Sequence, residues 1–144
     1  MRVFLDANVL FSAAYRETGS VRAFFDLAAA GACSLVSSAQ AIEEARRNLA
    51  AKHPDRVRDL DLLLASVELG SEPRASTLAW AATTGLPPKD APILASAVEA
   101  RCHILATGDK TDFGPLLGRR MRGTVVMLPA DAIDVLLGSK ARRS

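Results

Sequence analysis

Residues 1–10, MRVFLDANVL, decide how the rest of this chain is interpreted. The apolar run Val3–Leu5 predicts a short buried strand. That strand ends on a carboxylate, Asp6, and a second polar side chain, Asn8, follows two residues later. Burying a charge is costly unless something compensates it. The Asp6 carboxylate therefore needs a helix N-cap role, an ion pair or a bound cation, and the remaining sequence must supply the partner.

Beyond this start, short apolar strands alternate with predicted helices. Strands are expected at CSLVS (33–37), HILAT (103–107) and TVVML (124–128), and helices begin near Ser20, Ser37, Pro54, Arg74, Asp90 and Pro129. Ser37 and Gln40 have capping-box spacing, and Val57, Leu60, Leu64 and Val67 form one helical stripe. This order predicts an α/β fold, a three-layer α/β/α sandwich with a central parallel sheet. We expect one domain, residues 1–138, and a basic, frayed tail, 139–144.

The composition narrows the class of protein. The chain has 144 residues, of which 49% are hydrophobic and 24% charged, as in a folded globular domain rather than a disordered one. It has only two cysteines, and its first residues lack the apolar core of a signal peptide, so we expect a cytoplasmic protein without a membrane span. The net charge of +2 permits a polyanionic partner without requiring one.

Acidic side chains come together at one rim of the predicted sheet. Asp6 and Asp109 follow the carboxyl ends of two strands, where ligands bind in such sheets. Asp90 begins the helix that leads into HILAT, and Asp112 lies in the loop after that strand. Each acid alone has an ordinary explanation as a helix N-cap or an Asx turn. Acids from separate segments that reach one rim favour a binding site instead.

Four stretches, in this order, resemble the acidic motifs of PIN-domain proteins, especially the group that forms toxin components of toxin–antitoxin systems. They are VFLDANVLFSA (3–13), AIEEARRNL (41–49), KDAPILASAVEA (89–100) and ILATGDKTDF (104–113). The resemblance covers nearly the whole chain and implies a parallel α/β/α sandwich that cleaves RNA with a metal ion. It also implies a cognate antitoxin and a homodimer.

Carried over position by position, the resemblance assigns a role to seven residues. It implies catalytic acids at Asp6, Glu44, Asp90 and Asp109, metal ligation by these four and Asp112, and orienting roles for Asn8 and Thr107. The family's Glu stands five residues before a Leu, which selects Glu44 over Glu43, whereas helical periodicity leaves that choice open. An all-oxygen site suits Mg²⁺ or Mn²⁺ rather than zinc, and such a cation can activate water for attack on a phosphodiester. Whether one or two metals bind stays open.

Candidate RNA contacts come from basic side chains near the acids. Lys89 and Lys110 flank them in the sequence, and GRRMRG (118–123) adds Arg119 and Arg120, although an ordinary solvated surface explains that cluster better. Aromatic residues are scarce, so no base-stacking platform is predicted. The helices around Phe24, Phe25, Leu60 and Leu64 form either the core or, in part, a groove for a subunit or antitoxin.

Other classes of protein fit less well. A non-catalytic Mg²⁺-binding regulatory or RNA-binding module on the same sheet is the main alternative. A receiver domain would need a Lys after the last strand, and TVVMLPAD (124–131) has none. An aspartyl phosphatase would start with Asp-x-Asp, whereas residues 6–8 read Asp-Ala-Asn.

Overall fold

A computed structural model describes the backbone of residues 1–143 and the side chains of residues 1–138. The strands are β1 (Arg2–Leu5), β2 (Ser34–Ser37), β3 (Val67–Leu69), β4 (Ile104–Ala106), β5 (Arg120–Met121) and β6 (Thr124–Met127). The helices are α1 (Ala7–Tyr15), α2 (Ala23–Ala29), α3 (Ala39–Lys52), α4 (Val57–Leu64), α5 (Ala75–Ala81), α6 (Ala91–Glu99) and α7 (Pro129–Arg143). Within the described residues, no helix is both long and apolar enough to span a membrane.

The six strands form one sheet in the order β3-β2-β1-β4-β6-β5. Every neighbouring pair is parallel except β5 and β6, so the predicted α/β class is confirmed and the sheet is mixed at one edge. The antiparallel pair is joined by Arg122 and Gly123, both at positive φ (51° and 90°), which suits a two-residue hairpin. β1 lies between β2 and β4, and this central position places Asp6 in the middle of the carboxyl rim.

Helices flank the sheet and bury its apolar side chains. α1 packs with α3 and α4, while α5 packs with α6. Phe24, Phe25 and Leu60 are buried, and Leu64 packs against the same core. Phe24, Phe25 and Leu60 therefore belong to the core, and a groove for a subunit or antitoxin on the surrounding helices stays a prediction.

Several local predictions were wrong for identifiable reasons. Ser38, not Ser37, caps α3 by accepting a hydrogen bond from the Ala41 N–H at 3.2 Å, because the Ser37 hydroxyl donates to the Leu5 carbonyl at 2.8 Å. Val67 belongs to β3 rather than to the preceding helical stripe, since it pairs with Leu35 of β2.

The last helix also differs from its predicted length. Its backbone continues past Gly138 to Arg143, through most of the segment predicted as a tail. The fraying of residues 139–144 stays a prediction, because their side chains and all of Ser144 lie outside the described residues.

Candidate metal centre

A cavity of 280 Å³ lies at the carboxyl rim of the sheet, between α1 and α3. Its lining includes Asp6, Asn8, Phe11, Glu44, Asn48, Lys52, Lys89, Asp90 and Asp109. The four acids predicted to be catalytic therefore line one cavity, although they come from four separate segments. Glu43, the other candidate on α3, does not line it; adjacent helical residues point about 100° apart.

Asp6 is both a helix cap and a member of this cavity. One carboxylate oxygen accepts the Ala7 N–H at 2.7 Å, and the other accepts the Thr107 hydroxyl at 2.9 Å. The side chain is only 5% exposed, and this burial is the main cause that raises the pKa of Asp6 to about 6. The two hydrogen bonds lower that pKa, and the charges of Glu44 and Asp90 raise it. A nearby positive charge would therefore stabilise the ionised form of Asp6 in this position.

Asn8 and Thr107 hold the Asp6 carboxylate in place. The Asn8 amide nitrogen donates to Asp6 at 3.3 Å and to the Thr107 hydroxyl at 3.4 Å, and its oxygen accepts the Gly108 N–H at 2.7 Å. A Cβ at Gly108 would lie 3.3 Å from that amide oxygen, so the loop approaches α1 closely because residue 108 has no side chain. Both side chains are thus placed to fix the carboxylate's orientation.

We call the five acids at this rim, Asp6, Glu44, Asp90, Asp109 and Asp112, the acidic cluster. Asp90, Asp109 and Asp112 lie together within it. One carboxylate oxygen from each lies within 4.8 Å of the others. Asp90 makes no side-chain cap hydrogen bond to α6, so helix capping does not account for it. The Asp109 carboxylate accepts the N–H groups of Thr111 and Asp112 at 3.0 and 2.9 Å, which shapes the loop.

Lys89 bridges two of these acids. Its ammonium lies 2.9 Å from Asp90 and 2.8 Å from Asp112. Hydrogen bonds to the two carboxylates raise the pKa of Lys89, and the Lys89 bond lowers the pKa of Asp112. Burial outweighs Lys89 at Asp90, whose pKa is raised. The acidic cluster already attracts one positive charge from within the chain.

The donor set fits a hard divalent cation. The cavity's candidate ligand atoms are carboxylate and amide oxygens, the ligands that Mg²⁺ and Mn²⁺ prefer. Within the described part of the chain, neither His53 nor His103 is among the lining residues. The raised pKa of the buried Asp6 and the Lys89 bridge both show that this rim calls for positive charge.

The predicted RNA contacts fall into three places. Lys89 belongs to the acidic cluster, and Lys110 lines a neighbouring groove. Arg119 and Arg120 are exposed beside or on the edge strand β5, and neither is among the residues that line the cavity.

Sequence reasoning missed part of the cavity wall. Asn48 and Lys52 follow Glu44 at steps of four residues, so they share its helix face, and that spacing was visible in the sequence. Phe11 also lines the cavity; its ring centroid lies 6.1 Å from that of Tyr15, and the Tyr15 ring stacks on His53 at 4.1 Å. Phe11 reaches the cavity because α1 and α3 pack side by side.

A family model for the PIN domain matches residues 2–111. The match covers most of the chain; it includes the first three acidic motifs and the fourth as far as Thr111, so that Asp112 lies just beyond it. This chain belongs to the PIN-domain family, which confirms the resemblance drawn from the motifs.

Solved structures show the same fold. A chain in the crystal structure of VapBC2 from Rickettsia felis bound to a promoter DNA fragment is 15% identical, with a TM-score of 0.65; the match covers 89% of this chain and 98% of that one. A chain of FitAcB from Neisseria gonorrhoeae is 20% identical, with a TM-score of 0.59 and coverage of 89% and 98%. A chain of FitAB bound to an IR36 DNA fragment is 24% identical, with a TM-score of 0.58 and coverage of 88% and 94%. No curated protein sequence matches this chain.

Proposed function

We propose that this protein is a metal-dependent endoribonuclease and the toxin component of a toxin–antitoxin pair. One observation carries the proposal: Asp6, Glu44, Asp90 and Asp109 line a single cavity although they come from four separate segments. A structural role for each acid would not require them to share one cavity. Membership of the PIN-domain family supports the same chemistry.

The reaction is hydrolysis of an RNA phosphodiester. A bound divalent cation, Mg²⁺ or Mn²⁺, would supply positive charge that neutralises the phosphate and lowers the pKa of a water molecule. Asp6 and Asp109 would hold the cation most directly, with Asp112 at the edge of the cluster, and Asp90 and Glu44 would bind it directly or through water. Glu44 and Asp90 orient the attacking water and accept its proton as its oxygen bonds to phosphorus. The P–O bond to the leaving nucleotide then breaks, and that oxygen takes up a proton.

The hydrogen-bonded neighbours of Asp6 keep this arrangement ready for the cation. Asn8 and Thr107 both donate to the same oxygen of the Asp6 carboxylate, and Asp6 lines the cavity. Partners of this kind tune metal affinity by restricting the ligand's orientation. The Asn8–Gly108 hydrogen bond ties the loop that carries Asp109 to α1, the helix that Asp6 caps.

The proposed partner is a cognate antitoxin. Two of the similar structures carry two-component names, VapBC2 and FitAB, and both are complexes with DNA. By analogy, this chain would act as a homodimer in the cytoplasm, held inactive by a partner protein encoded next to it. An inhibitor of this kind can compete with the metal by placing a basic side chain among the acids, as Lys89 does within the chain.

Growth of cells that express the chain tests the proposal. Expression of the wild-type protein alone should slow growth, and co-expression of its small upstream neighbour should restore it. The Asp6→Asn variant, confirmed as folded by circular dichroism, should not arrest growth. Equal arrest by wild type and variant would show that toxicity does not come from nuclease activity. An active enzyme that causes no arrest would indicate RNA processing rather than a toxin.

A further inference from the structure

A groove lined by basic side chains adjoins the 280 Å³ cavity that holds the four proposed catalytic acids, which we call the acidic cavity. Its volume is 600 Å³, and Arg16, Arg22 and Lys110 contribute its charged side chains. Ser12 of α1 lines both spaces, so the two adjoin at this residue. We call the second space the basic groove.

The walls of the basic groove are fixed by the same elements that hold Asp6. The Arg22 Nε donates to the Ala13 carbonyl at 2.6 Å, which ties this half-buried guanidinium to α1. Gly108, also in the lining, is held by the Asn8 amide at 2.7 Å. The basic groove therefore has a defined position relative to the acidic cluster.

We propose that the basic groove binds the phosphodiester backbone of a single RNA strand whose scissile phosphate lies at the acidic cavity. This inference rests on the proposed function and adds the path of the substrate. A strand at the acidic cavity meets four carboxylates against two lysines, and cations in the next space offset the remaining repulsion for the adjoining phosphates.

The lining also indicates how the strand is recognised. Besides the three cations, Ser12 and Ser20 offer hydroxyl groups that can bond phosphate or the ribose 2′-OH. The groove's lining residues include no aromatic side chain on which a base could stack. Contacts to phosphate and sugar position a strand without reading its sequence, so this part of recognition is indifferent to base identity.

The structure favours the basic groove over the arginine cluster at residues 119–122. That cluster lies beside or on β5, the edge strand, with β6 and β4 between it and β1. The Arg122 guanidinium lies 4.3 Å from the centroid of the Trp80 ring, a contact that already accounts for it. Arg119 and Arg120 therefore provide a matched control with the same number of charges.

The test compares two double variants in RNA binding. In the full chain carrying Asp6→Asn, with Mg²⁺ present, binding of a fluorescent 12-nucleotide RNA of mixed sequence is followed by anisotropy over a range of salt. Arg16→Gln with Lys110→Gln, both exposed, should raise Kd about tenfold and reduce the slope of log K against log salt by about 1.4, the value for two phosphate contacts of a single strand. Arg119→Gln with Arg120→Gln should change neither.

Equal effects of the two double variants, or no effect of the first, would overturn the basic groove as the RNA path. So would a first variant that binds RNA normally but no longer binds the antitoxin, because the groove would then belong to a protein partner. Cleavage of a dinucleotide by the wild-type protein with Mg²⁺ tests the acidic cluster separately. Failure there would count against the proposed function, while the binding comparison would still decide the groove.

Discussion

Replacing Asp6 by Asn should stabilise the metal-free protein at neutral pH while removing its metal site. Asp6 is 5% exposed, and its pKa is raised to about 6. Because this folded-state pKa lies above the usual value for Asp, about 3.9, the unfolded chain ionises first as the pH rises. Burial of the Asp6 charge therefore does not change the free energy of unfolding below about pH 4 and lowers it by the full amount above about pH 7.

The size of the effect follows from the two pKa values. A difference of about two between the folded and unfolded pKa values corresponds to about 3 kcal/mol of unfolding free energy. Asn cannot accept both the Ala7 N–H and the Thr107 hydroxyl through carboxylate oxygens, and it weakens the 3.3 Å bond from Asn8. The weaker hydrogen bonds of Asn lower the free energy of unfolding by about 1 kcal/mol at every pH, which reduces the gain. The net gain at pH 7.5 is thus about 2 kcal/mol.

Urea unfolding followed by circular dichroism, in EDTA from pH 4 to pH 8, measures this difference. The stability of Asp6→Asn relative to wild type should rise by about 3 kcal/mol between pH 4 and pH 7. Asp134→Asn, at an exposed position, is the control and should show no such rise. Saturating Mg²⁺ should then stabilise wild type and leave Asp6→Asn unchanged. A pH-independent difference between variant and wild type would refute the argument from burial.

Three further changes test the site. Glu44→Gln should reduce RNA cleavage by about a hundredfold or more, and Glu43→Gln should not, because only Glu44 lines the cavity; the reverse result in a kinetic assay would move the assignment by one residue. Lys89→Met should tighten Mg²⁺ binding measured by calorimetry, since the ammonium no longer competes for Asp90 and Asp112; weaker binding would mean that Lys89 supports the site. Gly108→Ala would place a Cβ 3.3 Å from the Asn8 oxygen, so it should displace the Asn8 side chain and lower RNA cleavage without changing the far-UV circular dichroism spectrum. Unchanged cleavage would show that the Asn8 side chain can shift without loss of activity.

The acidic rim could be predicted from sequence because topology determines it. In a parallel sheet, residues that follow neighbouring strands meet at one edge, so Asp6 and Asp109 were bound to be close. The hydrophobic run of β1 and the apolar HILAT segment were clear enough to place both acids. The roles of Asn8 and Thr107 came from the family motif, and their contacts with Asp6 fit it.

The short edge strands were not predictable in the same way. β3 and β5 have three and two residues, too few for periodicity to register. Val67 continues a helical stripe by spacing alone, and only its pairing with Leu35 makes it a strand residue. Such elements exist because a neighbouring strand offers hydrogen bonds, which no local pattern encodes.

The walls of the two cavities depend on packing between distant elements. Phe11 and Lys52 reach one space because α1 and α3 lie side by side. Arg16 and Lys110 both line the basic groove although they lie 94 positions apart in the sequence, and no sequence motif links the two residues. Side-chain placement of this kind follows from the assembled fold and not from any single segment.

Cleavage of a fluorescent single-stranded RNA tests the central claim most directly. The purified wild-type protein should cleave it with Mg²⁺ or Mn²⁺, stop when EDTA is added, and resume when the metal is restored in excess. The folded Asp6→Asn variant should leave the RNA intact under the same conditions. Cleavage that persists in EDTA, or that is equal in Asp6→Asn, would contradict a metal-dependent nuclease centred on Asp6. Binding of Mg²⁺ without any cleavage would contradict it as well and would favour a non-catalytic module.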